Sequence, residues 1–297
     1  MSHADPLDRG IAVTGARVVS HEHDGEGWLL ATRESAPAVR GCVPQYVGYE
    51  ERSVTPVRRL EVPHPDITVI VNLGAPLDVH APAIGPRGAL FGSFVAGLFD
   101  TVAVTGTTGV SCGIEMNLTP IGMWQLLGVP MHEFTNRVVP FDALFGRQAA
   151  RLEDQLRATP SWDARFDLLD AALTRQLARR VSPPPEVWWA WDQLRCEHRP
   201  LPVSTIAREL QWSRRRLGAA FREYVGLTPK AFSRVVRFDR AVRRVRDGTL
   251  SHWSSLAHEC GYADQAHLIR EFREFAGIAP TEFLRRNGDG SLGVSAD

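Results

Sequence analysis

The sequence predicts an α+β protein in which a β-barrel or β-sandwich is followed by a helical linker and then by an all-α domain. Three observations predict this order. Short alternating segments fill residues 1–140, helical periodicity runs through 141–182, and a duplicated pair of helices occupies 186–287. We expect residues 288–297 to form a flexible tail.

Composition excludes several classes of protein. The chain has 297 residues, of which 44% are hydrophobic and 23% charged, so it can bury a substantial core. No apolar run approaches the roughly 18 residues that a membrane helix needs. The first six residues carry an acid and a proline where a signal peptide needs a basic start and an apolar stretch. We therefore expect a cytoplasmic protein with no membrane partner.

Strands are predicted throughout residues 1–140. Residues 110–118 alternate between apolar and small or polar side chains over nine positions. This pattern indicates a strand with one buried face and one face that is solvent-exposed or lines a pocket. Further candidates separated by Gly, Pro and Asp turn signals are 27–32, 43–49, 67–72, 89–95 and 101–105. The aromatic residues on these strands, which either line a ligand pocket or belong to an ordinary core, are Trp28, Tyr46, Tyr49, Phe91 and Phe94.

This region offers little for catalysis. His21, Glu22 and His23 are the nearest approach to a metal-binding cluster, but they follow a Gly-rich pattern that favours a mobile polar loop. The sequence has no Gly-rich phosphate loop and no serine in a nucleophile elbow. We predict no catalytic residue, no metal and no cofactor, and we identify no ligand-binding residue.

Helices are predicted from 142 to 180, with a break at residues 159–161. After the break an apolar stripe keeps intervals of four, three, four and four through Trp162, Phe166, Leu169, Leu173 and Leu177. Such a stripe either docks on its own barrel or pairs with a second subunit. Both alternatives stay open for the linker, 141–182.

Charge divides the chain near residue 183. Residues 186–286 hold 18 Lys and Arg against 12 Asp and Glu, whereas the remainder holds 16 against 22. The boundary reads Ser-Pro-Pro-Pro at 182–185, a run that favours an extended linker. A basic domain beside an acidic one suggests a polyanionic ligand for the basic half, although a modest basic excess is also typical of a solvated face.

The basic half contains an internal repeat. Six residues recur in the same order 51 positions later. Leu217, Phe221, Arg222, Gly226, Pro229 and Phe232 correspond to Leu268, Phe272, Arg273, Gly277, Pro280 and Phe283. Ser213 and Asp264 stand where each second helix begins, and their side-chain oxygens suit N-caps. A short helix, a tight turn and a second helix therefore occur twice.

Two interpretations of this repeat are a stacked solenoid and a pair of DNA-binding helix-turn-helix units. A long predicted helix over 228–246 separates the copies, which disfavours regular stacking. In a DNA-binding unit the second helix enters the major groove and its first residues meet the base edges. Two such units joined rigidly could contact successive grooves about 34 Å apart.

Residues 202–286 resemble the C-terminal domain of the AraC/XylS family of transcriptional regulators. The matching segments are Ile206-Ala207, 213–226, Arg237-Phe238 with Ala241, Leu256-Ala257 with Gly261-Tyr262, and Phe272-Arg273 with 277–280. The resemblance implies two helix-turn-helix units behind a cupin-like N-terminal sensing domain. The likeness of that N-terminal domain is looser and rests on position.

The resemblance also implies which residues face DNA. In the first unit these are Arg214, Arg215, Arg216, Gly218, Ala219 and Arg222. In the second unit they are Gln265, Ala266, His267, Ile269 and Arg270. Arg215 and Arg270 suit guanine, Gln265 suits adenine and Ile269 suits a thymine methyl group. Arg214 and Arg216 would contact phosphates.

Two of these groups also have interpretations that do not involve DNA. The arginine run at 214–216, taken alone, is more typical of a solvated face, and only its place at the start of a second helix favours DNA. His267 is either a pH-sensitive contact or, more simply, a hydrogen-bonding helix residue. Gly218 and Ala219 bring no hydrogen-bonding group, which predicts fewer base contacts from the first unit.

Taken together, the sequence predicts a transcription regulator that binds double-stranded DNA through the major groove. Its predicted further partners are a small-molecule effector, a second copy of the chain in a homodimer, and RNA polymerase. Two alternatives remain: a barrel enzyme with an appended DNA-targeting domain, and a regulator that responds to no ligand.

Overall fold

The computed structural model describes residues 15–23, 25–179, 181–196, 200–248, 252–287 and 294–296. The N-terminal region is built mainly from strands. Their bounds are β1 Arg17–His23, β2 Glu26–Glu34, β3 Gln45–Arg52, β4 Val57–Glu61, β5 Ile67–Asn72, β6 Leu77–His80, β7 Ala89–Phe91, β8 Phe94–Ala96, β9 Ala103–Thr107, β10 Val110–Leu118 and β11 Val138–Pro140.

These strands form two antiparallel sheets. The larger sheet has the order β1-β2-β3-β10-β5-β8-β11, and the smaller has the order β4-β9-β6-β7. β10 is central to the larger sheet, where Ile114 lies opposite Gly48 of β3 on one side and Val71 of β5 on the other. Strands of both sheets line one cavity, so the predicted double-sheet or barrel architecture is confirmed.

Five predicted strands begin and end within three residues of β2, β3, β5, β9 and β10, and β5 and β10 match fully. The predicted strand 89–95 is two strands, β7 and β8, because the chain turns at Gly92 and Ser93. The mobile loop predicted around His21 and His23 is wrong. These residues belong to β1, an edge strand exposed on both faces, so its sequence shows no alternation to reveal it.

The helices lie between and after the sheets. Their bounds are α1 Pro120–Leu127, α2 Phe141–Phe145, α3 Arg147–Ala158, α4 Trp162–Leu177, α5 Pro185–Arg195, α6 Val203–Glu209, α7 Arg214–Tyr224, α8 Pro229–Arg246, α9 Trp253–Glu259, α10 Gln265–Ala276 and α11 Pro280–Asn287. A 3₁₀ helix covers Met131–Phe134. The strands expected throughout 1–140 are therefore interrupted by α1 and this short helix. Within the described ranges, no helix meets the length and hydropathy that a membrane crossing requires.

The apolar stripe on α4 covers the chain's own larger sheet. Phe166 is fully buried and stacks on Tyr46 of β3 at 5.4 Å between ring centroids. Trp162 lies over Gly48, where a Cβ atom would come within 2.3 Å of the indole ring. Arg33 of β2 adds an ion pair of 2.9 Å to Asp170. Of the two alternatives for this stripe, the structure shows docking on its own barrel.

The C-terminal domain follows the predicted helical repeat closely. Both N-caps form: the Ser213 hydroxyl accepts from the Arg216 amide at 3.1 Å, and the Asp264 carboxylate accepts from the His267 amide at 2.6 Å. Each unit ends in a glycine with positive φ, +102° at Gly226 and +73° at Gly277. The long helix predicted between the units is α8.

The expectation of a flexible tail over 288–297 is wrong for residues 294–296, while 288–293 and 297 lie outside the described residues. Ser295 forms a β-bridge with Arg59, and the amide of Leu60 donates to the Val294 carbonyl at 2.8 Å. The Val294 side chain is fully buried. Backbone pairing and an apolar anchor therefore join this segment to β4 of the barrel.

Candidate nucleic-acid interface and enclosed cavity

The two helix-turn-helix units expose the beginnings of their second helices. In α7 the buried residues are Leu217 and Phe221, and in α10 they include Leu268 and Phe272. These apolar positions fix one face of each helix on the domain core. The opposite face, which would meet DNA in such a motif, is left accessible.

Each of the predicted DNA-facing residues lies at this accessible surface. The exposed ones are Arg214, Arg215, Arg216, Ala219, Arg222, Gln265, Ala266 and Arg270. The half-buried ones are Gly218, His267 and Ile269. A Cβ atom at Gly218 would meet nothing within 4 Å, so the surface there is open. The contacts of these residues with DNA stay predictions.

Arg216 has a neighbour that the sequence did not reveal. Its guanidinium lies 4.3 Å from the ring centroid of Trp212, in cation–π geometry. The stacking holds the side chain against the turn that precedes α7. An arginine held in this way loses less conformational entropy when it meets a phosphate.

Sequence reasoning missed Glu271, which joins the second unit to α8. The side chain of Glu271 is 4% exposed and accepts from Arg234 at 2.9 Å and from Arg237 at 2.7 Å. The signal was present in the sequence, because this glutamate interrupts an otherwise apolar stripe of Leu268, Phe272 and Phe275. A charged residue in a buried stripe requires a partner of opposite charge.

The first unit is docked on the N-terminal domain at the far end of α7. Trp124 of α1 packs on Tyr224 at 4.7 Å between ring centroids and donates to the Glu223 carboxylate at 3.4 Å. The Thr135 hydroxyl donates to the Gly226 carbonyl at 2.9 Å. The two domains therefore meet at the end of α7 that is opposite to its predicted DNA-facing residues.

The two sheets line a partly open cavity of about 830 Å³. This volume lies in the range of small-molecule sites, roughly 300–1,000 Å³. Its walls come from both domains, because α8 contributes Asp239, Val242 and Arg243 and the C-terminal segment contributes Val294. Of the five aromatic residues considered for a pocket, Tyr49 and Phe94 line this cavity, whereas Tyr46 belongs to the core under α4.

A chain of hydrogen bonds crosses the cavity floor. His64 Nδ1 accepts from the Asp66 amide at 3.4 Å, which leaves Nε2 to donate to the Thr68 hydroxyl at 3.0 Å. Thr68 in turn donates to Asn117 Oδ1 at 3.0 Å, and Asn117 Nδ2 donates to Glu115 at 2.8 Å. The Glu115 carboxylate is thereby held in one orientation.

Burial shifts the protonation of these groups. It lowers the pKa of His64 and raises the pKa of Glu115, in each case by disfavouring the charged form. Burial likewise raises the pKa of Asp66 and Asp239, and neighbouring arginines oppose the shift. The cavity thus holds charged groups at an energetic cost, which is common where a protein binds a ligand.

The described residues contain no group of three or more His, Cys, Asp or Glu side chains arranged to hold a metal ion. His21 and His23 lie on the exposed edge strand β1, and the imidazole of His21 packs beside Trp28 at 6.1 Å between ring centroids.

Comparison with known proteins gives a partial match to regulators. Residues 206–286 match the family model described as a helix-turn-helix domain. The chain is 28% identical over 167 residues to the HTH-type transcriptional activator RhaS of Escherichia fergusonii, a match that covers 56% of this chain and 51% of RhaS. The chain spans about half the length of that curated relative.

Among solved structures, the chain is similar to ToxT of Vibrio cholerae with an unsaturated fatty acid bound. Sequence identity is 10%, the TM-score is 0.49, and the match covers 85% of this chain and 96% of ToxT. It is also similar to an AraC-type transcriptional regulator from Chromobacterium violaceum, at 23% identity and a TM-score of 0.33, over 36% of this chain and 96% of that one.

Proposed function

We propose that this chain, whose C-terminal domain is a double helix-turn-helix domain of the AraC/XylS type, is a sequence-specific DNA-binding regulator of transcription. One observation carries the proposal. N-cap hydrogen bonds fix the first turns of α7 and α10, and the buried face of each helix packs on the apolar core. The side chains at the start of each helix stay accessible to solvent. Helices presented in this way can enter successive major grooves.

The proposal assigns separate roles within each helix. Arg215 and Arg270 read guanine, and Gln265 reads adenine, since their side chains can form two hydrogen bonds to those base edges. Arg214 and Arg216 contact phosphate groups, which position the protein without reading sequence. Gly218 and Ala219 allow close approach of the α7 backbone to the bases.

Selection of bound sequences from random duplexes tests these roles. Arg270→Ala should lose about 1–3 kcal/mol of discrimination at one base position, whereas Arg214→Ala should weaken binding to all sequences and reduce the salt slope by about one. Arg151→Ala on the exposed face of α3 is the charge-matched control, and it should change neither property. If Arg270→Ala weakens binding evenly across all sequences, its base-reading role is wrong.

The cavity is the proposed effector site. Because α8 lines it and also packs on α10, a ligand there contacts the N-terminal domain and the DNA-binding domain together. A ligand that binds one arrangement of the two domains more tightly shifts the population toward that arrangement. The proposal assigns no catalytic step to the barrel.

The proposed regulator works in the cytoplasm as a homodimer that contacts RNA polymerase. The apolar stripe of α4 is covered by β3, so the dimer would use another surface. Sedimentation equilibrium on the full chain, alone and with operator DNA, tests this part. A strict monomer on DNA at micromolar concentration would contradict it.

A further inference from the structure

We propose that the effector is a small organic cation, with a protonated nitrogen between Glu115 and Glu61 and an apolar body against Phe94. This inference rests on the proposed role of the cavity as an effector site and names the chemical class of its ligand. Four features of the cavity support it. Most charged side chains that line the cavity form ion pairs with each other, two carboxylates do not, Tyr49 lies beside these two, and one wall is apolar.

Most charges around the cavity are already neutralised. Five acidic side chains line it among the described residues, and three of them form ion pairs. These pairs are Glu51 with Arg59, Asp66 with Arg195 at 3.2 Å, and Asp239 with Arg243 at 3.1 Å. A ligand that approached these three carboxylates would have to compete with an arginine.

Glu115 and Glu61 have no such partner. Within the described part of the chain, no Lys, Arg or His nitrogen lies within 4.0 Å of either carboxylate. Glu115 accepts only from Asn117 at 2.8 Å, and Glu61 accepts from the Thr105 hydroxyl at 2.6 Å. Both side chains line the cavity, Glu115 on its floor and Glu61, which is exposed, at its rim. A carboxylate that no side chain neutralises by direct contact is stabilised by a cation.

Tyr49 lies near both Glu115 and Glu61. Its ring lies over Gly113 of β10, where a Cβ atom would come within 2.6 Å of the Tyr49 hydroxyl oxygen. This close approach is possible only because residue 113 has no side chain. Tyr49 is half-buried, and no described residue forms a hydrogen bond with its hydroxyl, which faces the cavity and lies near Glu115. An aromatic face beside a carboxylate favours a cationic nitrogen.

An apolar wall adjoins Glu115, since Ile70 of β5 is its direct cross-strand neighbour and Phe94 of β8 pairs with Ile70. Ile70, Leu77, Val79 and Phe94 form a hydrophobic cluster of their own and line the cavity together. This wall suits the body of an aromatic or branched aliphatic molecule. The ligand is therefore amphipathic, with one charged end and one apolar end.

The charges disfavour an anionic ligand at this position. A carboxylate that reached the floor would meet Glu115, whose charge is confined in a poorly solvated site. Arg246 lies at the rim, where its guanidinium is exposed and stacks over Phe283 at 5.7 Å. An anion is therefore expected to stay in solvent near Arg246 and leave the floor empty.

A matched series of three compounds tests the ligand class. 2-Phenylethylamine, 2-phenylethanol and 3-phenylpropionate carry a cationic, a neutral and an anionic head on the same phenylethyl body. Their binding to the full chain is measured by isothermal titration calorimetry at pH 7.5. We expect the amine to bind at least about tenfold more tightly than the alcohol, because a hydrogen bond between charged groups is stronger than one between neutral groups. We expect no binding of the carboxylate.

Variants assign the effect to the named residues. Glu115→Gln should weaken amine binding at least about tenfold and leave alcohol binding unchanged, because it removes the charge and keeps the shape. Glu61→Gln at the exposed rim should weaken the amine less, and it tests the same idea if Glu115→Gln fails to fold. Arg151→Gln, on the exposed face of α3 and outside the cavity, is the control, and it should leave the binding of all three compounds unchanged.

The outcomes separate this inference from the proposed function. Tighter binding of the alcohol or carboxylate, equal binding of all three compounds, or no binding of any would overturn the cation assignment. Each preparation is also tested for sequence-selective DNA binding. If DNA binding is intact and the amine does not bind, only the cation inference fails. If wild-type protein shows no sequence preference on DNA, the proposed function fails whatever the calorimetry shows.

Discussion

The carboxylate of Glu271 on α10 lies 2.7 Å from the guanidinium of Arg237 on α8, and 4% of the glutamate side chain is exposed. Arg234, one helical turn earlier on α8, reaches the same carboxylate at 2.9 Å. A single buried charge is therefore shared by two arginines of the helix that connects the two units. This arrangement fixes where α10 lies relative to α8.

Removing the charge of Glu271 should destabilise the fold. Glu271→Gln leaves two arginines without their buried partner, and we expect the free energy of unfolding to fall by about 2–4 kcal/mol. Urea denaturation measures this change. Glu274→Gln is the matched control, because Glu274 pairs with Arg234 but is 57% exposed, and its loss should cost less than about 1 kcal/mol. Equal effects of both variants would show that burial of Glu271 is unimportant.

Replacing Gly226 should weaken the contact between the domains. Its φ is +102°, and a Cβ atom would lie 3.0 Å from the Met131 carbonyl oxygen. Gly226→Ala combines backbone strain with this contact, so we expect a loss of about 2–4 kcal/mol. Gly248→Ala is the control, since φ there is +65° and the new Cβ would meet nothing within 4 Å. Thermal unfolding should rank Gly226→Ala as clearly the more damaging.

His64 should make stability depend on pH. Burial lowers its pKa below the ordinary 6.5, so the folded protein keeps the ring neutral while the unfolded chain binds a proton. Stability should therefore fall as the pH drops from 6.5 toward the lowered value. His64→Gln keeps a donor for Thr68 but cannot titrate. The neighbouring Asp239, Glu61 and Arg246 remain in the variant, so the difference between the two stability curves belongs to His64.

In urea denaturation between pH 7.5 and pH 5, the wild type should lose more stability than His64→Gln does. Parallel curves for the two proteins would mean that His64 takes up its proton equally in the folded and unfolded states.

Val294 should anchor the C-terminal segment on the barrel. Val294→Ala removes two methyl groups from a fully buried site, and we expect a loss of about 1–3 kcal/mol. Val181→Ala, at a position that is 78% exposed, is the control and should lose less than about 0.5 kcal/mol. A variant at position 294 that unfolds at the wild-type temperature would show that the Val294 side chain does not anchor the segment on the barrel.

Local signals explain what the sequence could predict. The alternation over 110–118 defines β10, because Ile114, Met116 and Leu118 are buried on one face while Ser111, Glu115 and Asn117 on the other line the cavity. Ser213 and Asp264 mark the first turns of α7 and α10, since an N-cap depends only on the residues beside it. These features are decided within a few residues of chain.

The remaining features depend on distant parts of the chain. β4 carries the sequence Val-Arg-Arg-Leu-Glu and gains its place only by pairing with β9 and the C-terminal segment. The cavity joins Glu61, Glu115 and Asp239, which are separated by more than fifty residues at each step. Neither spacing nor composition reveals such a site, because the two sheets bring its members together.

Helix α8 both contacts α10 and lines the cavity, and because the helix is rigid, a movement at one end is transmitted to the other. Arg234 and Arg237 form ion pairs with Glu271 of α10. Asp239, Val242 and Arg246, farther along the same helix, line the cavity. With a rise of about 1.5 Å per residue, Arg234 and Arg246 are about 18 Å apart, so a tilt of about 5° displaces one end by about 1.6 Å. A molecule bound at the cavity end of α8 would thus displace the end that holds α10, without touching α10 itself.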